Sequence, residues 1–301
     1  MSISKIFYSL IKRIKIIAGY MNYKKTINYI VCNRKTANVD LLLLPAIGDT
    51  ICGLTYINSF LSENNVEINI YGNYNQKSVI DSFNIPANYY LFNPYDKTYK
   101  SICNIILNSK LSKKLLNKGI ISNFNYNYDK SLKKTIDNSA LYQMSNYVLK
   151  LKQPFLSYPM VKEQYISSII NFYTVCDKII IINPYSNSLN VNILIFNKIV
   201  LYLRQRGFVI YTNVFGNQKE LDGTFPLRCS IEELYSICKR IKMVVSVRSG
   251  ILDYIIGTDC NIFAIFENCG SNYFDRFHLS DWKCNGVVRD CYIQKKNYFI
   301  G

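Results

Sequence analysis

Hydrophobic positions fall into two patterns along this chain. Short unbroken runs, VDLLLLP at 39–45 and KIIIINP at 178–184, read as strands covered on both faces, as in a parallel sheet. Longer segments place apolar residues every third or fourth position and read as helices. After the first run, GDTICGLTYINSFLSENN predicts a loop and then a helix, EINIYG a second strand and ISNFNYN a later one. After the second run, NILIFNKIVLYLRQRG predicts a helix closed by Gly207, and FVIYTN a strand. SIEELYSICKRI then reads as a helix whose start is set by a Ser230/Glu233 capping box, followed by the strand MVVSVRSG, a helix from Ile251 and the strand NIFAIFE. Strands alternating with helices imply parallel sheets joined by right-handed crossovers. The chain therefore divides into an α/β pair of Rossmann-like domains at 39–160 and 161–301, behind a segment at 1–38. The break lies between residues 151 and 177, where LKQPFLSYPMVKEQ carries two prolines and loses periodicity. The tail from Ser271 fits either the second domain or a return to the first.

The opening segment has its own spacing. Ile3, Ile6, Phe7, Leu10, Ile14, Ile17 and Met21 follow a helical period, with Lys5, Lys12, Arg13 and Lys15 on other faces. Charges interrupt it too often for a membrane span or a signal-peptide core. Such a basic amphipathic helix either lies on an anionic leaflet or packs on its own domain.

Composition narrows the partners. Among 301 residues, 36 Lys+Arg against 20 Asp+Glu leave a charge of +16, which points to phosphates, nucleic acid or an anionic membrane surface. The basic residues are spread along the chain and form no nucleic-acid motif, so no nucleic acid is expected as partner. Ten cysteines without a CxxC pair, and His278 as the single histidine, assemble no zinc site by the usual spacings. Reduced thiols in a cytoplasmic protein and no metal centre are expected.

Candidate chemistry sits where strands end. In open α/β sheets ligands bind beyond the carboxyl ends of strands. Ser246, Arg248, Ser249 and Gly250 close the strand MVVSVRSG. Backbone amides there, with a helix start behind them, suit a diphosphate, and Arg248 adds a fork of donors. The alternative is that Arg248 pairs with a structural carboxylate such as Asp253. Tyr185, Ser186 and Asn187 in INPYSNS offer a second set of donors, or ordinary helix caps. Glu267 and Asn268, past NIFAIFE, either meet a sugar or ribose or form a plain surface loop. In the first domain Gly48, Asp49 and Thr50 start a helix, with Asp49 either a general base for an attacking hydroxyl or an N-cap.

Three blocks carry a family likeness. LLLLPAIGDTICGLTYINSFLSENNVEINIYG, IIIINPYSNS and LDGTFPLRCSIEELYSICKRIKMVVSVRSGILDYIIGTDCNIFAIFEN resemble, in order and separation, segments of the heptosyltransferase-like glycosyltransferases of family 9, in the GT-B superfamily. The resemblance implies two Rossmann-like domains facing a central cleft, Asp49 as the base beside the acceptor and Ser249–Gly250 in the donor-phosphate turn. It implies an inverting, metal-independent transfer, with no cofactor, from a nucleotide-diphosphate sugar to a bacterial envelope glycan of lipopolysaccharide or capsule type. The absence of an Asp-x-Asp triplet agrees with that mechanism. The basic N-terminus would then seat a lipid-linked acceptor at the inner face of the cytoplasmic membrane. Two departures from the family stand out. Arg248 and Asp253 stand where an acidic residue before Ser-Gly and a histidine after it are usual, and the basic residue usual after the second-half strand is missing. A sugar-nucleotide epimerase and a noncatalytic nucleotide-sugar-binding subunit of the same fold are the alternatives.

Overall fold

The structure, a computed structural model, describes residues 39–107, 118–122, 144–161, 176–187, 191–270 and 287–293, together with single residues of the intervening segments and of 21–32. Of the amphipathic helix expected over residues 1–25, residues 1–20, 22 and 23 lie outside the described residues, while Met21, Lys24 and Lys25 are helical and exposed. Among the described residues no helix is long and apolar enough to cross a membrane. The chain forms two compact units, the first running to Pro154 and the second from Phe155, which also takes in Asp81–Asn84.

The first unit holds β1 (Val39–Leu42), α1 (Ile47–Leu54), α2 (Ile57–Asn64), β2 (Ile68–Asn73), α3 (Lys77–Ser82), β3 (Asn88–Phe92), α4 (Lys97–Leu107) and β4 (Ile120–Ser122). Its four strands run parallel in the order β3-β2-β1-β4. The apolar run of β1 is buried because neighbours flank it on both edges and helices cover the sheet. Leu42, Leu44 and Tyr71 pack with Ile102, Ile105 and Ile106 of α4, and Tyr90 stacks on Tyr71 at 4.9 Å. The single helix expected after Gly48 is two helices, with the break at Thr55 and Tyr56. β3 had no clear signal in the sequence. As an edge strand it buries no residue fully: Asn88 and Tyr89 are exposed, and Tyr90, Leu91 and Phe92 are half-buried.

The second unit holds β5 (Ile179–Asn183), α5 (Ile193–Arg204), β6 (Val209–Asn213), β7 (Phe225–Leu227), α6 (Ile231–Cys238), β8 (Met243–Val247), α7 (Gly250–Ile255), β9 (Asn261–Glu267) and β10 (Val288–Ile293). All six strands are parallel in the order β10-β9-β8-β5-β6-β7. Counted from β5 this is the 3-2-1-4-5-6 order of dinucleotide-binding folds, read from the far edge. The order reverses between β5 and β8. All five residues of β5 are buried, and Ile180 and Ile182 pack with Phe196, Val200 and Leu203 of α5. Gly207 closes α5 at φ +78°, a conformation L side chains adopt rarely, and its amide donates to Arg204 O at 2.9 Å. The capping box holds as read, with Glu233 N donating to Ser230 Oγ (3.2 Å) and Ser230 N to Glu233 Oε2 (2.7 Å). The tail contributes β10, paired with β9, so residues 288–293 stay with the second sheet; residues 294–301 lie outside the described residues.

The first unit ends under a carboxylate clasp. Glu63, in the last turn of α2, accepts the amides of Lys152 (2.9 Å) and Gln153 (3.0 Å) just before the second unit begins. These two bonds hold the Glu63 carboxyl below the usual carboxylate range. A depressed folded-state value means that the clasp stabilises above the unfolded value near 4.3 and is lost as pH falls through the lower folded value. Amide exchange at Lys152 and Gln153, corrected for intrinsic rates, is therefore expected to accelerate as pH falls below the ordinary carboxylate range, and Glu63→Gln to remove that dependence.

Candidate functional site

The carboxyl ends of β5 and β8 lie side by side, and Asn183 pairs with Ser246 in register. Their side chains bond across the reversal point. Asn183 Nδ2 donates to Ser246 Oγ at 2.9 Å, and Ser246 Oγ passes its own proton to Val247 O at 2.7 Å. Asn183 Nδ2 also stands 3.4 Å from Tyr185 O and 3.5 Å from Ser249 Oγ, and Asn213 at the end of β6 donates to Asn183 Oδ1 at 3.3 Å. Three strand ends are thus tied by uncharged groups. Ser246 is fully buried in this arrangement, so its expected contact with a donor is corrected to a bond between strands.

Arg248 takes the alternative left open by the sequence. Nη2 lies 2.6 Å from Asp253 Oδ1 and Nη1 3.0 Å from Oδ2, while Nη1 also donates to Ser249 O (2.8 Å) and Nε to Phe277 O (2.6 Å). The residue is 5% exposed. Its expected role as a fork on a diphosphate is corrected accordingly: the guanidinium is spent inside the unit and holds the turn. Burial pushes the Asp253 carboxyl up, and the neighbouring guanidinium opposes that shift.

Around this pair, Ser249 and Gly250 are half-buried, as are Tyr185 and Ser186, and Asn187 is exposed. Ser249 is the N-cap of α7 yet makes no side-chain cap bond. Gly250 and Ile251 follow it in the first turn, where amides have no intrahelical acceptor. At six residues α7 is short, so it offers these amides rather than a long dipole. Ser186 Oγ reaches Arg248 O at 3.5 Å and accepts Leu189 N at 3.4 Å, and Tyr185 donates its hydroxyl to Lys219 O at 2.5 Å. Glu267, 2% exposed, accepts the amide of Asn192, the N-cap of α5, and the side-chain amide of Asn268 (3.0 Å). It caps the start of α5 from within instead of facing a sugar. Asn268 is exposed and sits at φ +55°.

In the first unit Asp49 is not the cap. Ala46 is the N-cap of α1, and Asp49 lies half-buried in the first turn, where the helix pole favours a carboxylate by about 0.3–1 kcal/mol. Gly48 precedes it, also half-buried. Thr50 is fully buried, and its hydroxyl lies 3.0 Å from Ala46 O and 3.2 Å from Leu44 O. It therefore fixes the loop rather than meeting an acceptor. Beneath it, buried Gln76 donates to Thr50 Oγ and Leu44 O and accepts Asn73 N (2.7 Å), while the Tyr99 hydroxyl lies 3.1 Å from both Gln76 Oε1 and Leu43 O.

No family model and no curated protein matches the sequence. Solved structures do. A glycosyl transferase family 9 protein from Veillonella parvula superposes with a TM-score of 0.57 at 12% identity, over 87% of this chain and 91% of that one. The E. coli heptosyltransferase WaaC with ADP-2-deoxy-2-fluoro heptose gives 0.52 at 10% identity, over 83% and 92%. E. coli ADP-heptose lps heptosyltransferase II gives 0.51 at 10%, over 84% and 90%. The chain has the fold of the glycosyltransferase family 9 enzymes.

On this family 9 fold, the sequence reading missed Asn183, Asn213, Gln76 and Tyr99. Asn183 and Asn213 carry a signal after the fact: each is a polar residue closing a largely apolar strand. Gln76 and Tyr99 carry none, since their meeting depends on how β2 and α4 pack. Among the described residues no group of three or more His, Cys, Asp or Glu is placed to hold a metal ion. Removing one member of a buried ion pair leaves an uncompensated charge. Asp253→Asn is expected to destabilise the second unit by about 3–5 kcal/mol, read by urea denaturation; a change under 1 kcal/mol would refute the structural role of Arg248.

Proposed function

We propose that this chain is an inverting glycosyltransferase of the heptosyltransferase type, moving a sugar from a nucleotide-diphosphate donor to a bacterial envelope glycan. The observation that carries the reading is the reversal point between β5 and β8, where ligands of such sheets bind, lined by the Ser249–Gly250 turn in a fold shared with a heptosyltransferase solved with ADP-2-deoxy-2-fluoro heptose. The donor diphosphate lies against the Ser249 hydroxyl and the amides of Gly250 and Ile251, with Tyr185, Ser186 and Asn187 alongside. Asp49 takes the proton of an acceptor hydroxyl. That oxygen forms its bond to the anomeric carbon as the bond to the diphosphate breaks on the opposite side, which inverts the centre. Amides and hydroxyls aimed at the leaving oxygens stabilise the charge that develops there, so the step needs no metal. The two candidate sites belong to different units, and the reaction requires that they hold one substrate pair. The acceptor is of lipopolysaccharide or capsule type, and residues 1–25, basic and amphipathic in sequence, hold the enzyme at the inner face of the cytoplasmic membrane.

A thermal-shift panel of ADP, UDP, GDP and CDP tests the donor half. One nucleotide is expected to stabilise the protein by about 2.7 kcal/mol when present at a hundredfold excess over its Kd. Asp49→Asn tests the chemistry. It is expected to lower transfer by about a hundredfold or more with nucleotide affinity unchanged, whereas an unaltered rate would favour a noncatalytic subunit or a different base. Release of a donor epimer without transfer would favour the epimerase.

A further inference from the structure

The polar groups at the reversal point have a direction, and Asn183 sets it. Ser246 gives its proton to Val247 O and so faces Asn183 only as an acceptor. Asn213 presents its Nδ2 to Asn183 Oδ1. Between them the Asn183 amide is held one way round, with its NH2 toward Ser246, Tyr185 O and Ser249 Oγ. A flipped amide would set oxygen against oxygen at Ser246. Ser249 Oγ, approached by this NH2 group at 3.5 Å, is thereby left with its own proton to give outward, beside the first amides of α7. The turn presents donors only, which is the polarity an oxyanion needs.

Asn213 shows that this orientation comes at a cost. The residue is fully buried, and its Oδ1 has no hydrogen-bond partner among the described residues. Buried acceptors are rarely left unmade, and an apolar residue at the end of β6 would remove this one only by stripping the buried Asn183 Oδ1 of its donor. What the amide supplies there is the bond that fixes Asn183.

We infer that Asn183 is a positioning residue for the donor turn and that Asn213 acts through it, so that both govern nucleotide affinity by orienting the Ser249 hydroxyl. This rests on reading the β5/β8 ends as the nucleotide-diphosphate site. Calorimetric titration with ADP, UDP, GDP and CDP tests it on the full chain as wild type, Ser249→Ala, Asn213→Leu and the double variant. Loss of one hydrogen bond to a charged oxygen is expected to weaken binding about tenfold in each single variant. The double variant is expected to be no weaker than either, because both changes remove the same contact. The nucleotide-free melting temperature of Asn213→Leu is expected to change little, because one unpaired buried acceptor, Asn213 Oδ1, is exchanged for another, Asn183 Oδ1, whereas a purely structural role predicts a fall that accounts for any loss of affinity. Wild-type affinity in Asn213→Leu, or losses that multiply to about a hundredfold in the double variant, would overturn the inference while leaving the site reading intact. Failure of all four nucleotides to bind the wild type would remove both.

Discussion

The ion pair between Arg248 and Asp253 decides what the second sheet can offer a ligand. Both residues are buried, and an unpaired charge at either position would cost several kcal/mol, so each binds the other to the unit. The guanidinium then reaches the carbonyls of Ser249 and Phe277, joining the β8–α7 turn to the segment that follows β9. A strong positive charge lies close to the turn, yet its hydrogen bonds are used internally. What remains at the surface of the turn is neutral: a hydroxyl and the first amides of a short helix.

The same solution recurs in the first unit with other residues. There the loop between β1 and α1 is fixed from below by Gln76 and Thr50, which bond the Leu44 carbonyl, and by Tyr99, which bonds the Leu43 carbonyl and is itself held by Asn73. Buried side chains hold a strand end in one conformation, and a half-buried polar residue stands close by in sequence. Thr50 and Asp49 divide the work in the first unit much as Ser246 and Ser249 do in the second. In both, two polar positions within three residues of each other are separated by burial into a fully buried support and a half-buried group.

The architecture was largely legible because parallel strands buried on both faces leave unbroken apolar runs, as IIIIN in β5 and the leucines of β1 do. Three of the four edge strands were not, since NYYLF, FPL and VRDCYI owe their pairing to a neighbour rather than to their own pattern, whereas the fourth, β4, overlaps the predicted ISNFNYN at Ile121 and Ser122. The location of the β8 turn was legible for the same reason as the strand before it. The division of labour within it was not. Whether Arg248 faces a ligand or Asp253 depends on a rotamer and on Phe277, 29 residues away, and no local spacing encodes that. Asn183 and Asn213 ended strands as plain polar residues, and only the sheet order made them neighbours.

That order has a consequence for the making of the protein. β5 takes β6 on one edge and β8 on the other, and β8 follows it only after α5, β6, β7 and α6 have been made. Until then a run of four isoleucines has one edge open, in a chain still emerging during synthesis. Parallel pairings of this span form slowly, and an uncharged β-branched segment waiting for its partner is prone to pair with another copy. The strand that centres the finished sheet is thus the point at which the nascent chain most depends on timely shielding from its neighbours.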